Sequence, residues 1–373
     1  MQEFLLQASD LDTLIQAIRR EGHRLLGPVL RDGTIVYDDV TTADDLPKGW
    51  TDRQEKAHYR TLPREDGAYF GYVVGPHAWK KFLQLPRRQI WNARRSGDNI
   101  QILEVEDPAP PMAFLGVRSC DLHAIAIQDR VFVEDEYRND SYTRRRSQLF
   151  IVAVNCTSSA PTCFCTSMNT GPEVTLPTDL TLTEVLDGEQ HFFLIASGSE
   201  RGARILAQLP VRPAGSQQRQ QASDAIAKTA AEVAKGPRSF DSGDLKELIY
   251  RNLDSPSWDQ VAERCLSCAN CTMACPTCFC STVEDTTDLS GDNAQRWERW
   301  DSCFTGDFSY ISGGAVRPDT RSRYRQWMSH KLATWHDQFD SSGCVGCGRC
   351  ITWCPVGIDI TEEVQRIRES ETR

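Results

Sequence analysis

Apolar positions in the first two hundred residues switch between helical and strand spacing. Leu11, Leu14, Ile15 and Ile18 recur on one helical face, and Ser9 with Asp12 supplies capping-type side chains just before and inside that pattern. Residues 34–37, 69–74 and 192–196 look like strands. Two continuous apolar runs, Phe114-Leu115-Gly116-Val117 and Phe150-Ile151-Val152-Ala153-Val154, read as buried strands because both faces are apolar. The first leads into Arg118-Ser119-Cys120-Asp121 and the second into Asn155-Cys156, so each delivers a thiol where the strand ends. Residues 121–130 are predicted helical. Open α/β sheets gather ligands outside the carboxyl ends of their strands.

From residue 217 to 234 the chain is rich in Gln and Ala, which reads as a surface helix or linker. The expected organisation is an α/β domain over residues 1–212, a linker or surface helix over 213–243, and a mainly α-helical ferredoxin-like domain over 244–373. Helix starts are expected around Asp254, Ser255 and Ser257, and at Thr361-Glu362-Glu363.

Composition excludes some classes. The 373 residues are 40% hydrophobic and 25% charged, which suits a soluble chain with two or three packed domains. No apolar run approaches the ~20 residues of a membrane span. A net charge of −10 argues against nucleic-acid binding. The 15 cysteines are an odd number, and the start Met1-Gln2-Glu3-Phe4 is not a signal sequence, so a disulfide framework is not expected. That many thiols point to metal ligation in a reducing cytoplasm.

The spacing of those cysteines is the strongest chemical signal. Cys265, Cys268, Cys271 and Cys275 precede Pro276; Cys344, Cys347, Cys350 and Cys354 precede Pro355. Each is a C-x2-C-x2-C-x3-C-P run, which binds 4Fe–4S clusters, and in two-cluster ferredoxins the fourth Cys ligates the other cluster. The expected sets are therefore Cys265, Cys268, Cys271 with Cys354, and Cys344, Cys347, Cys350 with Cys275. Structural zinc would favour two ligands, a gap and two more. The basic stretch Arg317, Arg321, Arg323, Arg325 and Lys331 can offset the anionic charge of a cluster or form a solvated or docking face.

Seven thiols remain. Pro161-Thr162-Cys163-Phe164-Cys165 recurs as Pro276-Thr277-Cys278-Phe279-Cys280. Cys120, Cys156, Cys163 and Cys165 make the ligand count of a third 4Fe–4S cluster. They read alternatively as buried free thiols, and the tight pair Cys163 and Cys165 as a thiol/disulfide couple or a zinc site. Cys278, Cys280 and Cys303 lack an obvious fourth partner and are expected to pack around the first cluster. His123 is expected to be structural. No G-x-G-x-x-G follows a strand, the spacing of Gly198 and Gly202 does not suit a dinucleotide turn, and there is no P-loop or nucleophile triad.

Several segments together resemble one family. They are Arg118-Ser119-Cys120-Asp121, Val154-Asn155-Cys156, residues 163–172, residues 275–280, Trp300-Asp301-Ser302-Cys303, residues 344–350 and residues 354–360. The likeness runs from about residue 110 onward. The chain resembles the beta subunit of cytoplasmic NAD(P)-linked nickel–iron hydrogenases, and is similar also to the A subunit of anaerobic sulfite reductase. The resemblance implies a non-catalytic relay between a flavin/NAD(P)-binding subunit and the hydrogenase small and large subunits, or their sulfite reductase counterparts. A thiol-redox enzyme and a zinc-stabilised scaffold are the competing readings from other classes.

Overall fold

A computed structural model describes residues 2–188 and 190–371. Its centre is an eight-stranded mixed sheet. The strand order is Arg212–Pro213, Glu3–Gln7, Gln190–Ser197, Leu180–Asp187, Phe150–Val154, Met112–Val117, Arg24–Arg31 and Thr34–Asp39. The four strands from Leu180–Asp187 to Arg24–Arg31 pair in parallel. Both faces of these strands are covered. Ala113, Leu115, Val152 and Val154 face the helix Leu11–Arg20 and its core, while Phe114, Val117, Ile151 and Ala153 face Leu122 and Ile125 of the helix Ser119–Asp129. That explains why their sequence is continuously apolar rather than alternating.

Two expectations change in this half. Ser9 lies in a short 3-10 turn before the helix, and Asp12 accepts from the backbone N–H of Ala43 at 3.0 Å instead of closing a capping box. Residues 69–74 are buried but form a loop, not a strand. Side chains replace the missing strand partner. Glu184 accepts from the N–H groups of Tyr69 and Phe70 at 2.7 and 2.8 Å. Asp52 accepts from Val73 N–H at 2.6 Å, and Gln54 donates to the Val74 carbonyl at 3.0 Å. An apolar run with its backbone satisfied this way needs no ladder.

The C-terminal part departs from a mainly helical domain. Helices Leu245–Arg251, Ser257–Ala262, Thr320–Ser329, Arg349–Thr352 and Ile360–Glu371 do enclose a core of Leu248, Trp258, Met328, Ile351, Ile360 and Val364. Between the two cysteine runs, however, Ser281–Thr287 and Asn293–Trp300 form an antiparallel hairpin. It pairs with Arg87–Ser96, which pairs with Asn99–Leu103, so one four-stranded sheet is built from both halves of the chain. No residue of these four strands is buried. With no core face, the hairpin leaves no hydrophobic alternation in the sequence. No helix among the described residues is long and apolar enough to cross a membrane.

Candidate metal centres

The two runs fold alike. In the first, Ser267 and Ala269 adopt left-handed backbone, at φ 50° and 67°, and a helical turn Asn270–Ala274 follows. In the second, Gly346 and Gly348 take the same places, at φ 64° and 74°, before the turn Arg349–Thr352. The left-handed residue two places after the first Cys turns its own amide back onto sulfur. Ser267 N–H donates to Cys265 Sγ at 3.4 Å, and Gly346 N–H to Cys344 Sγ at 3.5 Å. Ile358 N–H donates to Cys354 Sγ at 3.3 Å. Amide donors of this kind stabilise thiolate charge.

Cys265, Cys268, Cys271 and Cys354 line one cavity, walled by Phe304, Tyr324 and Trp327. The fourth thiol of the second run thus stands with the first three of the first run. Cys275 takes the reciprocal place, beside Cys344, Cys347 and Cys350. Burial pushes the thiols of Cys265, Cys271 and Cys350 up, and that of Cys344 up to about 12. Buried thiols in this state need a bound cation to ionise. Cys275 goes the other way. A hydrogen bond from Cys278 and the charge of Lys331 lower it, with the Lys331 Nζ 3.3 Å from its sulfur.

Cys120, Cys156, Cys163 and Cys165 share a second cavity, which also touches Gly346 and Cys347. Their placement follows from the fold: Cys120 and Cys156 come from the ends of adjacent parallel strands, and Cys163 and Cys165 from the loop beyond. Burial raises all four, Cys163 to about 12. Arg118 is buried beside them, donating to the carbonyls of Asn155, Phe70 and Tyr72 at 3.3, 2.7 and 3.0 Å, with no carboxylate among the described residues in ion-pair range. A buried cation without a carboxylate suits an anionic group at this cavity. The thiols ring cavities instead of closing on a point; no three Cys, His, Asp or Glu side chains among the described residues gather to hold a single metal ion. This donor set fits an iron–sulfur cluster.

The second run is pressed against the first Cys-Phe-Cys loop. A Cβ on Gly348 would lie 2.2 Å from the Thr162 carbonyl oxygen, and one on Gly346 2.6 Å from that of Phe164. Phe164 N–H donates to the Gly346 carbonyl at 2.9 Å, and Thr170 Oγ1 to that of Val345 at 2.6 Å. Arg349, between two cysteines of the run, forms a fully buried ion pair with Asp121, the neighbour of Cys120, at 2.9 Å. The helix Ser216–Ala234, expected as a linker or surface element, buries Val233 among Cys120, Cys165 and Val345.

These features match known proteins. A model of the 4Fe–4S dicluster domain family covers residues 264–358. Sulfhydrogenase 2 subunit beta of Pyrococcus furiosus is 29% identical over 352 residues, covering 94% of each chain. The chain thus carries a match to the 4Fe–4S dicluster domain and is similar along most of its length to a sulfhydrogenase beta subunit. No solved structure matches it significantly. The alignment with the relative reaches well beyond the dicluster domain, so the likeness to it includes the α/β half.

Sequence reading found the thiols and, in Lys331, one of their charged neighbours. Of the basic stretch, only Lys331 reaches a cysteine. Arg317 bonds Ser309, Arg321 pairs with Asp259, Arg323 caps the carbonyls of Arg317 and Pro318, and Arg325 donates to the Leu253 carbonyl. Lys80, buried and donating to the Cys278 carbonyl at 2.8 Å, carried no sequence signal. Cys278, Cys280 and Cys303 border the same core as the first-run thiols, or lie next to Cys275 and each other. His123 is half-buried, and burial lowers its pKa.

Proposed function

We propose that this chain is the electron-transfer subunit of a cytoplasmic nickel–iron hydrogenase complex. It would stand between a flavin/NAD(P)-binding subunit and the hydrogenase small and large subunits. In this reading residues 1–212 form an α/β unit, 213–243 a connecting helix, and 244–373 the ferredoxin-like part with its inserted hairpin. Cys265, Cys268, Cys271 and Cys354 hold one 4Fe–4S cluster; Cys344, Cys347, Cys350 and Cys275 hold a second; Cys120, Cys156, Cys163 and Cys165 hold a third. Such clusters supply one-electron transfer at these positions.

The observation that carries the reading is the adjacency of three thiol-lined sites. The second run touches the N-terminal cavity through Gly346 and Cys347, while Cys350 also lines the first-run cavity. The chain's own groups set the charge balance. Arg118 faces the N-terminal thiols, Lys331 faces Cys275, and amides face Cys265, Cys344 and Cys354. One end of the array opens to solvent: Cys268 is exposed, with Leu266 and Val356 beside it 62% and 40% exposed. That is a suitable surface for a redox partner.

The test uses the chain purified without oxygen. It should contain about twelve irons, four for each cluster. Dithionite should bleach its absorbance and NADPH should not, until a flavin subunit is added. Reduction of the isolated chain by NADPH would overturn the assignment of nucleotide chemistry to a partner. Nickel in the purified complex supports hydrogenase; sirohaem would move the same relay into a sulfite reductase.

A further inference from the structure

Cys278, Cys280 and Cys303 are the thiols that the proposed clusters do not use; Cys278 hydrogen-bonds the proposed ligand Cys275, whereas Cys280 and Cys303 pair with each other. Cys280 Sγ accepts hydrogen bonds from both the thiol and the backbone N–H of Cys303. Cubane ligands sit at separate corners and do not hydrogen-bond one another. Within the proposed ligand sets, the thiol–thiol effects named for Cys120, Cys165, Cys265, Cys271, Cys344 and Cys350 are charge effects. Cys280 and Cys303 are therefore arranged as a contact pair, while the cluster thiols are spread.

Their surroundings favour a thiolate. The N–H of Asp301 donates to the Cys280 carbonyl at 2.8 Å, which locks the strand end carrying Cys280 to the segment carrying Cys303. Two buried ammonium groups act on the pair's sulfurs, Lys80 and Lys331. Neither has a carboxylate within ion-pair range among the described residues. Lys80 instead rests over the Trp300 ring at 4.3 Å and donates to the Cys278 carbonyl. Buried cations require a compensating anion. The hydrogen bond from Cys303 first, and the two lysines after it, bring Cys280 down to about 7, whereas the proton stays on Cys303. Two adjacent half-buried thiols, tied by the backbone bond from Asp301 to Cys280 and flanked by a buried ammonium group with no carboxylate partner, form the arrangement of an exchanging dithiol.

We propose that Cys280 and Cys303 form a redox-active dithiol that reacts with small-molecule disulfides. The Cys280 thiolate attacks one sulfur of the disulfide R–S–S–R, forming a mixed disulfide and releasing RS⁻. The Cys303 sulfur then gives up its proton, attacks Cys280 and releases the second RS⁻. The protein loses two electrons and closes an S–S bond, while the small disulfide is reduced to two thiols. The reverse exchange with a thiol reopens it. The site rests on the cluster assignment above only in that Cys280 and Cys303 are not cluster ligands.

The experiment equilibrates the full iron-loaded chain, without oxygen, in buffers of varied reduced-to-oxidised glutathione ratio. Free thiols are then alkylated and the peptides mapped by mass spectrometry, with iron counted in each sample. A peptide pair linked through Cys280 and Cys303 should grow as oxidised glutathione increases and vanish on return to reduced glutathione, with iron constant. Cys303→Ser should trap glutathione on Cys280. Lys80→Met should shift the midpoint ratio about tenfold toward easier oxidation, because a cation that stabilises the thiolate stabilises the reduced form. Both thiols staying alkylatable at every ratio, with iron retained, would overturn the proposal. So would a loss of about four irons per chain in Cys280→Ser or Cys303→Ser, since that makes them ligands. Failure of the cluster reading is seen separately, as absence of iron from the wild-type chain.

Discussion

Pro161-Thr162-Cys163-Phe164-Cys165 and Pro276-Thr277-Cys278-Phe279-Cys280 are five identical residues in two settings. Both lie against the second cysteine run. The first meets Gly346 and Gly348 through backbone contact, and in the second Thr277 Oγ1 donates to the Gly343 carbonyl at 2.7 Å. There the likeness ends. Around the first copy, adjacent parallel strands bring Cys120 and Cys156, and the four thiols spread over a cavity. Around the second, Cys278 contacts Cys275, Cys280 contacts Cys303, and two buried lysines fill the space. The same local sequence is given different surroundings by the elements packed on it, so what a motif can do depends on what the fold supplies from elsewhere.

The widest separation between the copies is expected in iron content. Cys120→Ser or Cys165→Ser should lower bound iron by about four per chain and remove one paramagnetic signal, whereas Cys278→Ser should leave the count unchanged. Within the runs, Cys354→Ser should disturb the same signal as Cys268→Ser, and Cys275→Ser should disturb another. Equal iron loss from both Cys-Phe-Cys copies would erase the distinction drawn here.

A second test cuts the tie between the second run and the first copy. Arg349 and Asp121 are 0% and 1% exposed, and Tyr37 Oη also donates to Asp121 at 3.3 Å. Arg349→Met leaves an unpaired buried carboxylate and should cost about 3–5 kcal/mol, read from the denaturant midpoint of the iron-loaded chain. Adding Asp121→Leu should recover much of that loss. If the double variant is as unstable as the single one, the ion pair is not the cause.

How much of this was legible beforehand divides along physical lines. Cysteine spacing, the two buried strands ending in Cys120 and Cys156, and the helix of residues 216–234 all leave local signals, because a ligand run, a parallel strand and a helix each impose a period. Arg118, Lys80 and the Arg349–Asp121 pair do not. Their roles arise from contacts between residues far apart in the chain, such as the 192 positions from Lys80 to the Thr272 carbonyl it donates to. The residues 69–74 loop misled because burial alone looks like a strand, and the hairpin between the runs was missed because it buries nothing.

A smaller effect is expected from Lys331→Met. The ammonium touches Cys275 and donates to Thr277 Oγ1 and the Gly343 carbonyl at 3.0 Å each. Its charge favours the more negative, reduced state at the second-run thiols. Removing it should lower that centre's potential by on the order of 60 mV, the one-electron equivalent of about 1.4 kcal/mol. Redox titration followed by paramagnetic resonance should show the N-terminal signal unmoved. A shift of equal size in both signals would mean that Lys331 acts as a general charge and not on the second copy's side.

The smallest expected effect concerns pH and belongs to the first copy's side. Asp52 holds Val73 in the loop that lines the N-terminal cavity, where one of its oxygens accepts the Val73 N–H. Burial raises its carboxyl to about 6, against the lowering effects of hydrogen bonds from Val73 and Gln54 and the charge of Arg118. The folded chain then binds more protons than the unfolded chain between the ordinary carboxylate range and about pH 6. The stability Asp52 contributes is full at low pH and is lost as pH rises through about 6. Asp52→Asn keeps an oxygen for the Val73 N–H and carries no charge. Relative to wild type it should therefore gain stability between about pH 5 and about pH 8, read as the difference in thermal midpoints at the two values. A pH-independent difference would show that Asp52 is already ionised in the folded chain at pH 5, with the raised carboxyl and its cause both rejected.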